Sequence, residues 1–293
     1  MFKNYYSIAK ELFHLLAVNP RFCLKRVSLQ LRSFFLSVPN SKVLGDVNGI
    51  PFEFDFDFSS RFKDMYVSTY QPIIKELVEK NLREGDTFID IGANVGYFSA
   101  VALGRVGKTG QVHSFEPVPE YFEKLKRVAD LNSRYNITIN QVALGDEEKK
   151  ENIYIAGRSA IGNNTFFKGL LDEPERAIIR EIVVRRLDDY ILEKNIKNIK
   201  LVKIDVEGFE FPVLKGLGGY FSGRERNSYR PLIICEIVPL IYPEMGYKLN
   251  DLFDYMAGFS YFPFEVANTK KRVNINKIAR KRVTDVVFKF CGN

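Results

Sequence analysis

The segment Asp86–Ser99, "DTFIDIGANVGYFS", places an acid and two glycines where an apolar stretch gives way to a helix-like pattern. These residues are Asp90, Gly92 and Gly96. Glycine at a strand-to-helix junction allows a sharp turn and lets a ligand approach bare backbone. Ligands of an open parallel sheet bind beyond the carboxyl ends of its strands, so this junction is the expected binding crevice.

A second acid, Glu116, ends the next apolar segment, twenty residues after Gly96. A carboxylate at this place accepts hydrogen bonds from both hydroxyls of a ribose. The turn lacks the middle glycine of a dinucleotide fingerprint and the Gly-Lys-Ser/Thr of a Walker loop. Asp90 would repel a phosphate but attract an ammonium or sulfonium group. The pattern therefore favours S-adenosylmethionine as the cofactor.

A third group of acids could carry the chemistry. In "KIDVEGFE" (203–210), Asp205 ends a predicted strand and Glu207 lies in the turn after it, while Glu236 ends the next predicted strand. Methyl transfer to a hydroxyl needs an aligned acceptor and a base for the hydroxyl proton. Asp205 or Glu207 could be that base, orient the cofactor's ammonium group or bind sugar hydroxyls, and Glu236 could reach the same crevice. No cluster has metal-ligand spacing, so we expect no metal centre.

The elements that must position these residues begin at about residue 72, where apolar strands alternate with helical patterns. The predicted strands are 87–91, 111–117, 137–144, 200–205 and 231–238, and the predicted helices are 73–82, 97–106, 119–134 and one beginning at 210. This alternation indicates a parallel sheet covered by helices on both faces. Two further strands, 260–267 and 283–290, predict an antiparallel pair at the sheet edge.

The first 50 residues have a different pattern of apolar and charged residues from the rest of the chain. Residues 1–38 carry a helical period interrupted at Pro20, with basic residues opposite apolar ones, which predicts a helical arm or a membrane-surface helix. We therefore divide the chain into an arm, 1–50, and a domain, 51–293, whose core motifs span 85–216. "PFEFDFDFS" (51–59) alternates strictly and predicts a half-buried strand. Residues 156–180 are predicted to form a long loop or partly helical segment, here called the excursion, that caps the acceptor. Its candidate contacts are Arg158, Asn163, Asn164, Phe166 and Phe167.

Composition narrows the setting of the protein. No run approaches the roughly 18 apolar residues of a membrane helix, and charged residues near the start argue against a secretory signal. Three widely spaced cysteines fit a reducing cytoplasm. The net charge of +7 is concentrated at the two ends, with seven Lys/Arg against two acids in 1–50 and eight against two in 261–293. Such ends could contact phosphates or the anionic inner face of a membrane.

Five segments together resemble the FkbM family of S-adenosylmethionine-dependent methyltransferases over roughly residues 66–290. They are "GDTFIDIGANVGYFS" (85–99), "SFEPVPEYFEKLKRVADLN" (114–132), "VALGD" (142–146), "RRLDDYI" (185–191) and "KIDVEGFEFPVLKG" (203–216). The resemblance implies an α/β, three-layer, doubly wound, Rossmann-like sheet of seven strands with the last one antiparallel. The chain departs from the family at Gln71, where the motif often has Glu between Tyr and Pro.

The resemblance also implies roles for single residues. Those expected along the methionine and ribose of the cofactor are Asp90, Gly92, Asn94 and Gly96. Those expected at the ribose diol are Glu116 and Pro117. The residue expected to support the pocket is Asn132. Those expected to border the adenine are Ala143, Leu144 and Asp146. Asp205 is expected both to bind the cofactor and to take part in the methyl transfer.

These observations predict a cytoplasmic O-methyltransferase that acts on a small-molecule or glycan hydroxyl, most simply that of a saccharide or glycolipid. The alternatives are an RNA ribose methyltransferase, suggested by the basic segment 269–282, and a catalytically silent cofactor-binding module. The turn after the fourth strand, "DVEG", lacks the Asn/Asp-Pro-Pro pattern of exocyclic-amine methylation. We therefore expect no nucleic-acid partner.

Overall fold

The structure is a computed structural model that describes residues 41–59, 61–155, 165–167, 177–222 and 230–292. The helical arm over 1–38 lies outside these residues, as do Arg158, Asn163 and Asn164 of the excursion. Phe166 and Phe167 lie inside them.

The strands are β1 (Lys42–Val47), β2 (Ile50–Asp55), β3 (Thr87–Ile91), β4 (Gln111–Phe115), β5 (Ile137–Asn140), β6 (Ala143–Leu144), β7 (Lys149–Ile155), β8 (Ile178–Arg185), β9 (Ile199–Ile204), β10 (Leu232–Ile237), β11 (Tyr261–Glu265), β12 (Asn268–Arg272) and β13 (Thr284–Phe290). The α-helices are α1 (Arg61–Tyr66), α2 (Pro72–Asn81), α3 (Tyr97–Val106), α4 (Pro119–Leu131), α5 (Leu187–Glu193), α6 (Glu210–Lys215), α7 (Gly218–Phe221), α8 (Leu249–Gly258) and α9 (Ile275–Ile278).

The central sheet has the strand order β12-β11-β13-β10-β9-β3-β4-β5. Strands β5, β4, β3, β9 and β10 are parallel, and β13 inserts antiparallel between β10 and β11. The doubly wound sheet with an antiparallel last strand is therefore confirmed. An eighth strand, β12, extends the edge beyond the seven expected, because residues 268–272 turn back along β11. The two C-terminal strands also have the short helix α9 between them.

The helix after the glycine junction follows its predicted bounds, Tyr97–Val106. It is apolar on nearly every side, and both of its ends are glycines in positive-φ conformations, Gly96 at +82° and Gly107 at +66°. A helix that is hydrophobic all round must be buried, and α3 lies in the core against β3 and β4. This burial fixes the position of the glycine junction relative to the sheet.

A β-hairpin precedes the sheet where the sequence predicted the end of the arm. Lys42–Val47 is a strand that pairs antiparallel with β2. The turn between them is Asn48–Gly49, and both residues have positive φ, as a tight two-residue hairpin requires. Residues 42–47 of the segment assigned to the arm are therefore a strand, and the division of the chain at residue 50 stays a prediction. Alternate residues of β2, Phe52 and Phe54, are buried, which confirms the strand predicted from the alternating pattern.

A separate three-stranded sheet, with the order β6-β8-β7, interrupts the expected alternation. The predicted strand 137–144 is divided, because β5 ends at Asn140 and Ala143–Leu144 pairs instead with Val184–Arg185 of β8. Strands β7 and β8 pair antiparallel from Lys149↔Val184 to Ile155↔Ile178. This sheet brings Ala143 and Leu144 against the main cavity.

Within the described part of the chain, no helix combines the length and the apolar character needed to cross a bilayer.

Candidate functional site

A cavity of about 350 Å³ opens at the carboxyl edge of the parallel strands, where the sequence analysis placed the crevice. It is formed by the loops after β3, β4 and β9 and by the end of β10. The predicted site residues that line it are Gly92, Asn94, Glu116, Pro117, Ala143, Leu144, Asp205, Glu207 and Glu236. One cavity thus brings together most of the predicted cofactor residues and all three predicted catalytic acids.

Four predicted cofactor residues do not lie on the cavity wall, and two of them lie directly around the glycine junction. Asp90 is fully buried beneath the cavity, where its Oδ2 accepts a hydrogen bond from Ser99 Oγ (2.6 Å). Gly96 supports helix packing, because a Cβ there would lie 2.9 Å from Leu125 Cδ1. Neither residue lines the cavity, and their assignment to the cofactor stays a prediction.

The other two, Asn132 and Asp146, also serve the framework. Asn132 ends α4 and ties it to the hairpin, since its Nδ2 donates to the carbonyl oxygens of Pro51 (2.9 Å) and Val128 (2.8 Å). Asp146 forms an ion pair with Lys215 beside the small sheet. Both side chains therefore make contacts within the protein. Their expected roles, support of the pocket for Asn132 and a border of the adenine for Asp146, stay predictions.

Gly92 forms the floor of the cavity where β3 and β9 end side by side. Its φ is +75°, and a Cβ placed on it would collide with the backbone carbonyl of Asp205, whose carbon would be 2.8 Å away. Only a residue without a side chain allows the two loops to approach this closely.

Replacing Gly92 with alanine is expected to lower the free energy of unfolding and to abolish cofactor binding, because backbone must move at both loops. Gly246→Ala is the matched control, since Gly246 has the same φ of +75° and a Cβ added there would meet no atom within 4 Å. Urea denaturation measures the free energy of unfolding of both variants. The loss in Gly246→Ala reports the backbone strain alone, and any further loss in Gly92→Ala reports the collision with Asp205. Equal losses in the two would show that the close approach to Asp205 is unimportant.

Glu116 is held in place by backbone amides. Its Oε2 accepts from the N–H of Asn94 (2.8 Å) and its Oε1 from the N–H of Val118 (2.9 Å). Burial raises the pKa of Glu116 to about 7, although these two donors favour the charged form. Each oxygen keeps a lone pair, so the carboxylate can still accept the hydroxyl groups of a diol.

Three residues other than glycine on the cavity wall have left-handed backbones, namely Gln71 (φ 38°), Asn94 (φ 52°) and Glu207 (φ 51°). Such conformations cost of order 1–3 kcal/mol and persist where the surrounding structure determines them. At Glu207 the conformation points the turn after β9 into the cavity rather than continuing the strand. Backbone strain therefore coincides with the wall that must be positioned accurately.

Asp205, Glu207 and Glu236 form a carboxyl cluster in which one oxygen of each lies within 4.8 Å of the others. Behind it, Lys203 Nζ lies 2.8 Å from Asp205 Oδ2 and 4.8 Å from the centre of the Phe98 ring. Lys203 itself is buried. Burial favours the neutral form of Asp205, but the charge and hydrogen bond of Lys203 hold the pKa of this carboxyl below its usual range.

The other two acids of the cluster have the opposite shift. Burial and the charge of Asp205 raise the pKa of Glu207 to about 8. Burial and the same charge raise the pKa of Glu236 far above its usual value, so its neutral carboxyl can donate a hydrogen bond to Asp205. The cluster is thus divided into an anionic acid, a neutral acid and one that titrates near physiological pH. Absence of a metal remains a prediction.

Sequence reasoning missed three residues at this site. Arg61 and Tyr70 line the cavity from the segment before α2, outside the core motifs 85–216. Asp285 lies directly opposite Glu236 in the β10–β13 pair. Burial and the charge of Asp205 raise the pKa of Asp285 to about 6. Only the pairing register, which local sequence does not encode, could have placed it there.

The excursion contributes an aromatic ring to the wall. Phe166 lines the cavity and stacks on Phe209 with ring centroids 4.1 Å apart. Thr165 holds this segment by a bridge to Tyr154 and by donating from its Oγ1 to the carbonyl oxygen of Glu207 (2.8 Å). The excursion is therefore attached to the turn that carries a predicted catalytic acid.

The residues present fit a cationic nucleoside. Gly92 opens the floor, Glu116 presents a buried carboxylate to a diol, and the cluster adds negative charge at the far end. Among the described lining residues, Arg61 is the only Lys or Arg. The strand order and this site at the carboxyl edge together define a class I methyltransferase fold.

Comparison with known proteins agrees with this class. Residues 90–263 match the family described as "Methyltransferase FkbM domain". "31-O-demethyl-FK506 methyltransferase FkbM" of Streptomyces tacrolimicus is 33% identical over 161 residues, covering 46% of this chain and 61% of the relative. "Methyltransferase 1" of Beauveria bassiana is 28% identical over 150 residues, covering 45% and 59%. The chain thus spans about three fifths of the length of these curated relatives.

A crystal structure of methyltransferase FkbM from Methylobacillus flagellatus superposes with a TM-score of 0.42 and 15% identity, covering 92% of this chain and 60% of that one. The family match extends over more than half of the chain. The chain belongs to the FkbM family of S-adenosylmethionine-dependent methyltransferases.

Proposed function

We propose that the protein transfers a methyl group from S-adenosylmethionine to a hydroxyl oxygen of a saccharide or glycolipid. The carrying observation is that a single cavity joins the Gly92–Glu116 cradle to the cluster of Asp205, Glu207 and Glu236. Oxygen as the acceptor atom is supported by the Streptomyces relative, whose name specifies a 31-O-demethyl substrate. A cavity rich in carboxyl groups suits a polyol, because carboxylates accept hydrogen bonds from hydroxyl groups.

Gly92 and Glu116 would hold the cofactor, with Ala143 and Leu144 along the adenine side. When bound, the cofactor supplies an electrophilic methyl group on a positively charged sulfur. The anionic Asp205 would orient its positively charged end. These assignments use only residues on the cavity wall, so Asp90 and Gly96 act through the framework.

Glu207 would accept the proton of the acceptor hydroxyl. A general base works best when its pKa lies near the working pH, and the pKa of Glu207 is raised to about 8 by burial and by Asp205. Asp205, stabilised as an anion by Lys203 at 2.8 Å, is a weaker base. Glu236 keeps its proton and would hold Asp205 or a sugar oxygen by donating it. The methyl group ends on the acceptor oxygen and the hydroxyl proton on Glu207.

The cofactor assignment is tested by Glu116→Ala and the milder Glu116→Gln. Calorimetry is expected to show cofactor binding at least tenfold weaker in both, because alanine removes both acceptor oxygens and glutamine replaces one of them with an NH2 donor. Glu120→Ala is the control, since Glu120 is exposed on the following helix. Melting temperatures identify variants that fail to fold. Unchanged affinity in a folded Glu116 variant would overturn the ribose assignment.

The acceptor is tested by incubating the protein with methyl-labelled cofactor and fractionated cell extract. Label in the saccharide or glycolipid fraction is expected. Label in RNA would favour the ribose methyltransferase instead. Tight cofactor binding without label in any fraction would favour the catalytically silent module.

A further inference from the structure

Residues 270–282 form an exposed basic surface beside the cavity, which we call the basic edge. Between residues 266 and 284 the sequence has seven Lys or Arg and no Asp or Glu. All seven are exposed, and they are Lys270, Lys271, Arg272, Lys277, Arg280, Lys281 and Arg282. Two have contacts along the outermost strands, where Lys271 pairs with Glu265 (2.6 Å) and Arg272 lies 4.0 Å from the centre of the Phe262 ring.

The strand register places the basic edge next to the mouth of the cavity. The first residue of β13, Thr284, pairs with Ile237 at the carboxyl end of β10, and Asp285 pairs with the cavity-lining Glu236. Paired Cα atoms are about 5 Å apart, and three residues of extended chain span at most about 10 Å. Arg282 therefore lies within roughly 15 Å of Glu236, on the edge where the cavity opens.

The surroundings of the basic edge favour a lipid surface over a nucleic acid. Two large apolar side chains are exposed at the same end of the β10–β13 pair, Leu240 (56%) and Val283 (39%). Cations beside exposed apolar groups are typical of surfaces that contact anionic headgroups and the acyl boundary below them. None of the seven basic residues lines the cavity, so their charge faces outward and does not recognise an acceptor held inside it.

We infer that the basic edge docks the chain on an anionic lipid bilayer, with the mouth of the cavity turned toward that surface. A bilayer-docked mouth gives the acceptor class as a saccharide carried on a membrane lipid, a step that rests on the function proposed above. Each basic residue near an anionic surface contributes about fivefold to the binding constant, and this contribution falls with added salt.

The test measures sedimentation of the full chain with vesicles of phosphatidylcholine alone and of phosphatidylcholine mixed with phosphatidylglycerol. The variant reverses three charges, Lys270→Glu, Lys277→Glu and Arg280→Glu. It leaves Lys281 unchanged, because Lys281 acts electrostatically on Asp285 beside the site.

The control reverses three exposed charges at the opposite, amino edge of the strands, Arg83→Glu, Lys108→Glu and Lys197→Glu. Its change in net charge equals that of the basic-edge variant. Any difference between the two variants therefore reports the position of the charges.

The expected result is salt-sensitive binding of the unaltered chain to the mixed vesicles only. Binding is expected to fall at least tenfold in the basic-edge variant and to be kept by the control. Equal binding by both variants would overturn the inference and leave residues outside 270–282 as the source of affinity. Retention of RNA, but not of vesicles, by the basic edge would overturn it also. Calorimetry of cofactor binding in the same samples distinguishes failed docking from failure of the proposed function.

Discussion

Glu207→Gln is expected to lower kcat by two to four orders of magnitude while leaving cofactor binding within a few-fold of the unaltered protein. A general base contributes about 10²–10⁴-fold to a rate, and glutamine keeps the size and hydrogen bonding of the side chain but cannot accept the proton. Single-turnover methyl transfer and calorimetry measure the two quantities separately. Glu244→Gln, at an exposed position near the same edge, is the control.

The same assignment predicts the pH dependence of kcat/KM. Because the base must be deprotonated to act and burial with Asp205 raises the pKa of Glu207 to about 8, kcat/KM should rise with pH through that region and then level off. The Glu207→Gln variant should lose this rise. A flat profile in the unaltered protein, or an unchanged one in the variant, would assign the base to another residue.

Lys203→Met is expected to lower the free energy of unfolding by about 3–5 kcal/mol, because removing one partner of a buried ion pair leaves the other charge uncompensated in a medium of low polarity. Two carboxylates depend on Lys203, since Asp205 bonds it at 2.8 Å and its charge also stabilises the ionised form of the fully buried Asp90. Urea denaturation at neutral pH measures the loss.

A lysine on the same strand supplies the control for this variant. Lys200 is exposed, so Lys200→Met should change stability by no more than about 0.5 kcal/mol. The pH dependence gives a second check. Lys203 depresses the pKa of Asp205 in the folded state. The contribution of this ion pair to stability is therefore present above the pKa of Asp205 in the unfolded chain and is lost as pH falls. The difference in the free energy of unfolding between Lys203→Met and the unaltered protein should therefore become smaller toward acid pH. A difference that does not change with pH would contradict the ion-pair account.

Local pattern was enough to predict the parts of the fold that depend on burial. The helix Tyr97–Val106 was predicted from the helix-like pattern that follows the glycine junction, and the structure confirms its bounds. Glu116, Asp205 and Glu236 were placed together because parallel strands end at a common edge. The position of the cavity follows from these elements alone.

The remaining features depend on contacts between distant segments. The small sheet pairs Lys149 with Val184 across a long excursion, and nothing in either segment specifies that register. The hydrogen bond from the Asn132 amide to the hairpin was not predicted, because the motifs do not include the hairpin. Charged residues are harder still, because Lys203 is recognisable as a buried cation only when the carboxyls around it are known.

The hairpin β1–β2 has a practical consequence for how the protein can be shortened. The rings of Phe52 and Phe54 lie 4.9 Å apart and pack against Phe62 of α1 and Tyr97 of α3 with ring centroids 6.2 to 6.5 Å apart, so the hairpin forms an aromatic lining over these two helices. The residues matched to the family begin only at 90. A fragment trimmed to that boundary would lose Phe52, Phe54 and Phe62 and would expose to water the face of α3 and Tyr97 that the hairpin covers. We therefore expect the fragment to be insoluble even though most of the family motifs are retained.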